Sequence, residues 1–259
     1  MLFIRSLLFN VAFYLSTAFQ LVFWLPVFFF IPRHLGWKVV RLWGKICLWL
    51  QHFFIGSTFE FRGTHNIPGK RHFIVAAKHQ SSWETYTILL HLDDPSYILK
   101  RELMFIPLFG WFMAKMNVVP VIRGKKGVAL AAMTKAAQKQ YDEGREIIIY
   151  PEGTRKAAGA KPDYKYGVSH LYEALNATIL PVALNSGLFW PRQSFIRHPG
   201  HIVMEFLPLI EPGLSKEEFA AELERRIETA TDNLIRETAA SPNPPPLAVK
   251  LSRRMQAST

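Results

Sequence analysis

Residues 6–32 read S-L-L-F-N-V-A-F-Y-L-S-T-A-F-Q-L-V-F-W-L-P-V-F-F-F-I-P, and no charged side chain interrupts them. As one helix rising ~1.5 Å per residue the run would reach ~40 Å, more than the ~30 Å hydrocarbon core of a bilayer. A chain that begins this way must lay the segment in lipid or surround it with protein. A secretory signal fits poorly, because the run is too long for an h-region and no small-residue cleavage site follows it. Trp24, Tyr14 and the row Phe28, Phe29, Phe30 suit the belt where lipid meets water. The segment is therefore expected to associate with a membrane. Pro26 and Pro32 are points at which it can break, which leaves open a single span or a helical hairpin in one leaflet.

The flanking charges add an orientation. Arg5 precedes the run, whereas Arg33, His34, Lys38, Arg41 and Lys45 follow it, and for a simple span this bias places the main domain in the cytoplasm. Residues 37–55 mix those bases with Val39, Leu42, Trp43, Trp49 and Phe53, the pattern of an interfacial amphipathic helix whose bases reach phosphate headgroups. The whole chain carries a formal charge of +11. A basic surface suits nucleic acid, anionic lipid or anionic small substrates, but no recognised nucleic-acid motif accompanies these bases, so nucleic acid is not expected as a partner. The single cysteine, Cys47, excludes an internal disulfide and cysteine-rich metal sites.

Beyond Gly56 the pattern changes. β-rich runs fall at 58–62, 72–77, 96–100, 117–122, 146–150, 178–184 and 201–206, with helical patterns at 83–92, 126–143 and 168–175 between several of them. This alternation predicts an α/β domain with a mainly parallel central sheet of about seven strands flanked by helices, preceded by the membrane-associated helical segment. A helix over 215–237 opens S-K-E-E, a capping box. After it, S-P-N-P-P-P and the bases up to Arg254 read as a flexible basic tail. The expected organisation is an anchor at 1–56, the main domain at 57–240 and a tail at 241–259. In parallel sheets, sites form at the carboxyl ends of the strands.

Two strand ends are unusually polar. The strand H-F-I-V-A-A runs straight into K-H-Q-S-S-W-E-T, Lys78 to Thr85. With a turn between them, the carboxylate of Glu84 can fold back on His79, fix its tautomer and leave the second ring nitrogen as a base. Equally, Ser81 and Glu84 spell S-x-x-E, and a capped helix beside a surface histidine would explain the same letters. A serine nucleophile is a poor fit, since neither Ser81 nor Ser82 lies in a G-x-S-x-G elbow. No H-E-x-x-H spacing offers a metal site. The second end is Y-P-E-G-T-R, Tyr150 to Arg155, after R-E-I-I-I. There Gly153 permits a tight turn, Glu152 and Thr154 suit organisation of the loop, and Arg155 offers a forked donor for phosphate, while an ordinary strand-to-loop turn would explain the same letters. Lys100 and Arg123 stand at two further strand ends, where they suit an anionic substrate bound near His79.

The pairing of an H-x-x-x-x-acid block with a downstream P-E-G-T-R block resembles the glycerolipid acyltransferases, and most closely their bacterial lysophosphatidic acid acyltransferase branch. The segments I-L-K-R-E-L, P-L-F-G-W and I-L-P-V-A-L, beginning at Ile98, Pro107 and Ile179, also look like this family. Two positions depart from it: Glu84 stands where Asp is usual, and V-P-V-I-R-G retains Arg123 but not the family's neighbouring acid. The resemblance implies that His79, oriented by Glu84, activates the sn-2 hydroxyl of lysophosphatidic acid to attack a fatty acyl thioester directly. Amides of the following turn would stabilise the oxyanion, and Arg155, with Arg123 and Lys100, would hold the phosphate. It implies no cofactor or metal, acyl-CoA or acyl carrier protein as donor, membrane lipids as partners, and a place at the cytoplasmic face of a bacterial inner membrane. Acylation of another lysolipid, such as a lyso-ornithine lipid, is the alternative within the class. A basic membrane-tethered lipid-binding protein without catalysis is the alternative outside it.

Overall fold

The computed structural model describes residues 1–69, 72–122 and 126–257. The apolar run forms α1 (Leu2–Phe28), which continues through Pro26, and Pro32 caps the next helix, α2 (Arg33–Ile55). Arg5 Nε donates to the carbonyl of Phe54 at 2.7 Å and Trp43 Nε1 to Thr17 Oγ1 at 3.1 Å. The start of α1 thus lies beside the end of α2, and the two form an antiparallel hairpin.

Seven strands follow: β1 (Thr58–Arg62), β2 (Ile74–Ala77), β3 (Ser96–Lys100), β4 (Val119–Val121), β5 (Ile147–Ile149), β6 (Ile179–Leu184) and β7 (His201–Phe206). They pair in the order β1-β7-β6-β2-β5-β3-β4, parallel everywhere except between β6 and β7. Every residue of β2 is buried, as expected of a strand covered on both faces. Its side chains alternate between two cores. Phe73, Val75 and Ala77 pack with Phe9, Phe28 and Trp37 of the hairpin, while Ile74 and Ala76 pack with Met133, Leu171 and Leu223 on the opposite face. Residues 1–56, read from the sequence as a separate anchoring unit, therefore supply one covering layer of the sheet.

The helices between strands are α3 (Glu84–Thr87), α4 (Phe109–Lys115), α5 (Lys126–Asp142), α6 (Gly167–Ala174) and α7 (Ser186–Phe189). The helix expected over 83–92 is shorter: α3 gives way to a 3-10 turn at Ile88–His91. Helix α8 (Lys216–Ala239) begins with the expected capping box, Ser215 with Glu218, and buries Phe219, Leu223, Ile227 and Leu234 along one stripe. The expected flexible tail is corrected. Pro246–Gln256 is a helix, α9, with Pro246 at its first turn, where a missing N–H costs nothing. Ala248 and Leu251 are buried, and Leu251 lies against Gly159, whose φ of +71° and lack of a side chain allow the approach.

Candidate active site

The carboxyl end of β2 delivers Lys78 and His79 into the site. The N–H of Lys78 still extends the ladder to Val182 O at 2.9 Å, and the chain then turns. His79 Nδ1 meets Glu84 Oε1 at 3.0 Å. The same oxygen accepts the N–H groups of Gln80 and Ser81, each at 2.7 Å. Glu84 Oε2 accepts the hydroxyls of Ser81 at 2.7 Å and Ser186, at the start of α7, at 2.8 Å. Burial alone pushes this carboxyl up, but His79 and the Ser81 donors outweigh it, and its pKa lies below the ordinary glutamate value. An ionised carboxylate only accepts hydrogen bonds, so Nδ1 carries a proton, and in the neutral ring the lone pair is on Nε2. The Tyr150 ring stacks on the imidazole with centroids 4.0 Å apart and an 18° tilt, which fixes its plane. His79 is 13% exposed, enough for a substrate to reach.

These bonds revise two sequence expectations. Ser81 Oγ accepts from the Trp83 N–H at 2.9 Å, and Glu84 is the first residue of α3, not the third behind a Ser81 cap. Half of the capping box survives, as the carboxylate bond to the Ser81 N–H. The amides of Gln80, Ser81 and Trp83 are consequently occupied and are not available to an oxyanion. Buried Ser81 serves Glu84, so it is no nucleophile.

The second loop leaves β5. Gly153 adopts φ +64° and its N–H closes the turn onto Tyr150 O at 2.8 Å. Glu152, almost fully buried, accepts the main-chain N–H of His79 through Oε2 at 2.9 Å. Its Oε1 stands 2.8 Å from Lys78 Nζ, which lies 2.6 Å from Glu228 Oε1 of α8. Tyr164 donates to that same Glu228 oxygen at 2.8 Å. Burial works against the charge on Lys78, yet the two carboxylates hold its pKa above the ordinary lysine value. Burial pushes Glu152 up against the pull of Lys78. Two loops and one helix are thus joined through one ammonium group.

Arg155 is exposed and donates to Ser82 Oγ at 2.8 Å, which brings its guanidinium to the His79 turn. Thr154 is exposed at the rim of a cleft of about 370 Å³ that also touches Val121, Leu130 and Met133. His79, Glu84, Glu152 and Arg155 are therefore gathered at one place. Lys100 ends β3 on the same edge of the sheet, but it is exposed and pairs with Glu102 at 3.4 Å. Arg123 lies outside the described residues. Sequence reasoning missed Lys78, Ser186, Tyr164 and Glu228 as members of the site. Only Lys78, adjacent to His79, carried a local signal; Ser186 follows the I-L-P-V-A-L segment, and Glu228 sits on an ordinary amphipathic helix.

A family model described as Acyltransferase matches residues 58–185, the span that holds both polar loops. The chain is 31% identical over 224 residues to the 1-acyl-sn-glycerol-3-phosphate acyltransferase of Pseudomonas aeruginosa, covering 85% of this chain and 87% of that protein. It is 32% identical over 179 residues to the enzyme of the same name from Borreliella burgdorferi, covering 68% and 70%. Its fold is similar to the crystal structure of the 1-acyl-sn-glycerophosphate (LPA) acyltransferase PlsC from Thermotoga maritima, with a TM-score of 0.76 at 25% identity over 90% of this chain and 98% of that one. This chain belongs to the acyltransferase family that contains these 1-acyl-sn-glycerol-3-phosphate acyltransferases.

Proposed function

We propose that the protein transfers a fatty acyl group from a thioester donor, acyl-CoA or acyl carrier protein, to the sn-2 hydroxyl of lysophosphatidic acid, giving phosphatidic acid. The observation that carries the reading is the pairing of His79 Nδ1 with a carboxylate saturated by five donors, which leaves Nε2 basic and fixed. Nε2 takes the proton of the acceptor hydroxyl as its oxygen attacks the thioester carbonyl. The tetrahedral intermediate then expels the thiolate, which recovers the proton from Nε2. Transfer is direct. Ser81 is committed to Glu84, and Cys47 is buried in α2. With three amides of the turn occupied, the Ser82 N–H remains for the oxyanion among the described residues of that turn.

Arg155, held by Ser82, is the group placed to take the acceptor's phosphate. Arg123 completes that role in this reading, and Lys100 joins it by leaving Glu102. The anchor is the α1–α2 hairpin. Ser6, Phe9, Asn10 and Phe13 of α1 are buried against the main domain, with Asn10 donating to Phe195 O at 3.0 Å, while Leu7, Leu15, Phe19 and Phe23 face outward. Contacts of α1 with the domain near both of its ends support a hairpin lodged in one leaflet, which in this reading is the cytoplasmic leaflet of an inner membrane. The test is a detergent-solubilised assay offering lysophosphatidic acid beside a lyso-ornithine lipid and phosphate-free lysolipids, with both classes of donor. Preferential turnover of lysophosphatidic acid supports the reading. Equal or better turnover of a phosphate-free acceptor contradicts it, and lipid binding without turnover of any acceptor would favour a non-catalytic role.

A further inference from the structure

A second apolar surface, separate from α1, flanks the site. Beyond β3 the chain makes a 3-10 turn at Arg101–Phe105 and then α4. Within this stretch Leu103, Phe105, Ile106 and Trp111 all face outward, Phe105 at 70% exposure and Trp111 at 54%. Scattered apolar side chains on a surface are ordinary. These are held in place by a shaped backbone. Leu108 adopts φ +61°, a costly conformation for a bulky residue. Gly110 donates to Ile106 O at 2.8 Å and sits so close to Met104 that a side chain would fall 1.9 Å from its carbonyl oxygen. These contacts define a shoulder on which the four side chains stand outward.

The hairpin indicates what that is. Phe112 of α4 stacks on Phe28 at 4.1 Å and meets Phe29 edge-on at 5.9 Å, while Lys115 Nζ donates to Phe29 O at 3.0 Å. Phe29 and Phe30 at the end of α1 are themselves exposed. The shoulder therefore continues the outward apolar face of α1. It also carries charge: Arg101 lies 5.7 Å over the Phe105 ring, Lys115 sits beside the hairpin, and the exposed carboxylate of Glu102 is paired with Lys100 at 3.4 Å. Apolar side chains rimmed by bases match the boundary of an anionic bilayer. The shoulder leaves the carboxyl end of β3, the same edge from which His79 and Arg155 emerge.

We propose that residues 101–115 form a second bilayer contact, in which Phe105, Ile106 and Trp111 enter the interfacial layer and Arg101 and Lys115 lie at lipid phosphates. The contact rests on the reading of α1 as the anchor and fixes the tilt of the domain. Two fixed points on one membrane bring the carboxyl edge of the sheet to the headgroup plane, where a lysolipid acceptor presents its hydroxyl.

The experiment uses the full chain with Cys47→Ala and one new cysteine carrying an environment-sensitive fluorophore. The label stands at Phe105→Cys in one protein, at Phe19→Cys in a second and at Arg225→Cys in a third. Vesicles contain phosphatidylglycerol and phosphatidylethanolamine with brominated chains. Labels at 105 and 19 should shift to the blue and be quenched, while the label at 225 stays unchanged. Quenching at 19 without 105 overturns the second contact alone. No quenching at either position overturns the anchor reading as well. A shift at 105 with acyl carrier protein but not with vesicles also overturns the lipid assignment. In the paired variant Phe105→Ser with Trp111→Ser, the apparent KM for a vesicle-borne acceptor should rise roughly tenfold. The KM for a monomeric short-chain acceptor should stay as in the unsubstituted protein, and an equal rise for both acceptors would contradict the proposal.

Discussion

The main-chain N–H of His79 donates to Glu152 Oε2 at 2.9 Å, a bond that ties the loop after β2 to the loop after β5. Glu152 also faces Lys78, and both side chains are almost fully buried. Removing Glu152 leaves the buried Lys78 ammonium with Glu228 and strips the His79 N–H of its acceptor, a loss of charged hydrogen bonds worth roughly 1.5–3 kcal/mol. Glu152→Ala should therefore lower the unfolding midpoint and lose most activity. Glu152→Gln keeps an acceptor for the His79 N–H and should recover part of both. Thermal unfolding with a turnover assay checks this, and two variants indistinguishable in both readouts would count against the bond.

Glu228 acts at a distance. It contacts Lys78 Nζ at 2.6 Å and is linked through Lys78 and Glu152 to the His79 main chain. Glu228→Gln should lower kcat by roughly tenfold, because small misplacements of a catalytic group are costly, and leave KM for the acceptor almost unchanged. Tyr164→Phe, which removes the second donor to Glu228, should move kcat in the same direction by less. A change confined to KM would show that Glu228 does not position His79.

Glu84 gives the protein an acid-sensitive element. In the unfolded chain a glutamate ionises near ~4.3. In the fold burial raises the carboxyl, but the bonds from His79 and Ser81 prevail and hold it lower. Its stabilisation is therefore complete above the unfolded value and is lost as pH falls through the folded one. Glu84→Gln should be less stable at neutral pH and show a shallower loss of unfolding midpoint between about pH 5 and 3. Its kcat should fall by roughly 10²-fold with little change in acceptor binding. Parallel acid limbs for the two proteins would contradict this account.

Among the described residues, Arg155 is held by a side-chain bond to Ser82 Oγ at 2.8 Å. Arg155→Ala should raise the apparent KM for lysophosphatidic acid by roughly tenfold or more, the scale of a lost charged hydrogen bond. Ser82→Ala should raise it by less. Equal losses with a phosphate-free acceptor would show that the arginine does not read phosphate.

Much of this arrangement was legible because its signals are local. Apolar runs bounded by Gly, Pro and polar residues mark all seven strands, and β1, β3 and β7 have the bounds the pattern predicts. The His79–Glu84 pair and the Y-P-E-G-T-R loop lie at strand ends, where composition changes abruptly. The parts that escaped are set by long-range geometry. The order β1-β7-β6-β2-β5-β3-β4 places β2 beside β5 and β6, and no periodicity records that adjacency. Ser186 reaches Glu84 from 102 residues away and Glu228 reaches Lys78 from 150. Helix α9 escaped for a different reason. The prolines that signal a flexible tail also start a helix well, and only burial of Ala248 and Leu251 decides between the two.

His79 is the group on which acyl transfer is expected to turn. With its Nδ1 on Glu84 and its plane set by Tyr150, the imidazole has one task left for Nε2. The decisive measurement is single-turnover acyl transfer to lysophosphatidic acid by His79→Ala, with its unfolding midpoint recorded on the same preparation. The account predicts a loss of roughly 10²–10⁴-fold in rate with the midpoint and vesicle binding retained. Transfer near the unsubstituted rate by that folded variant would contradict it.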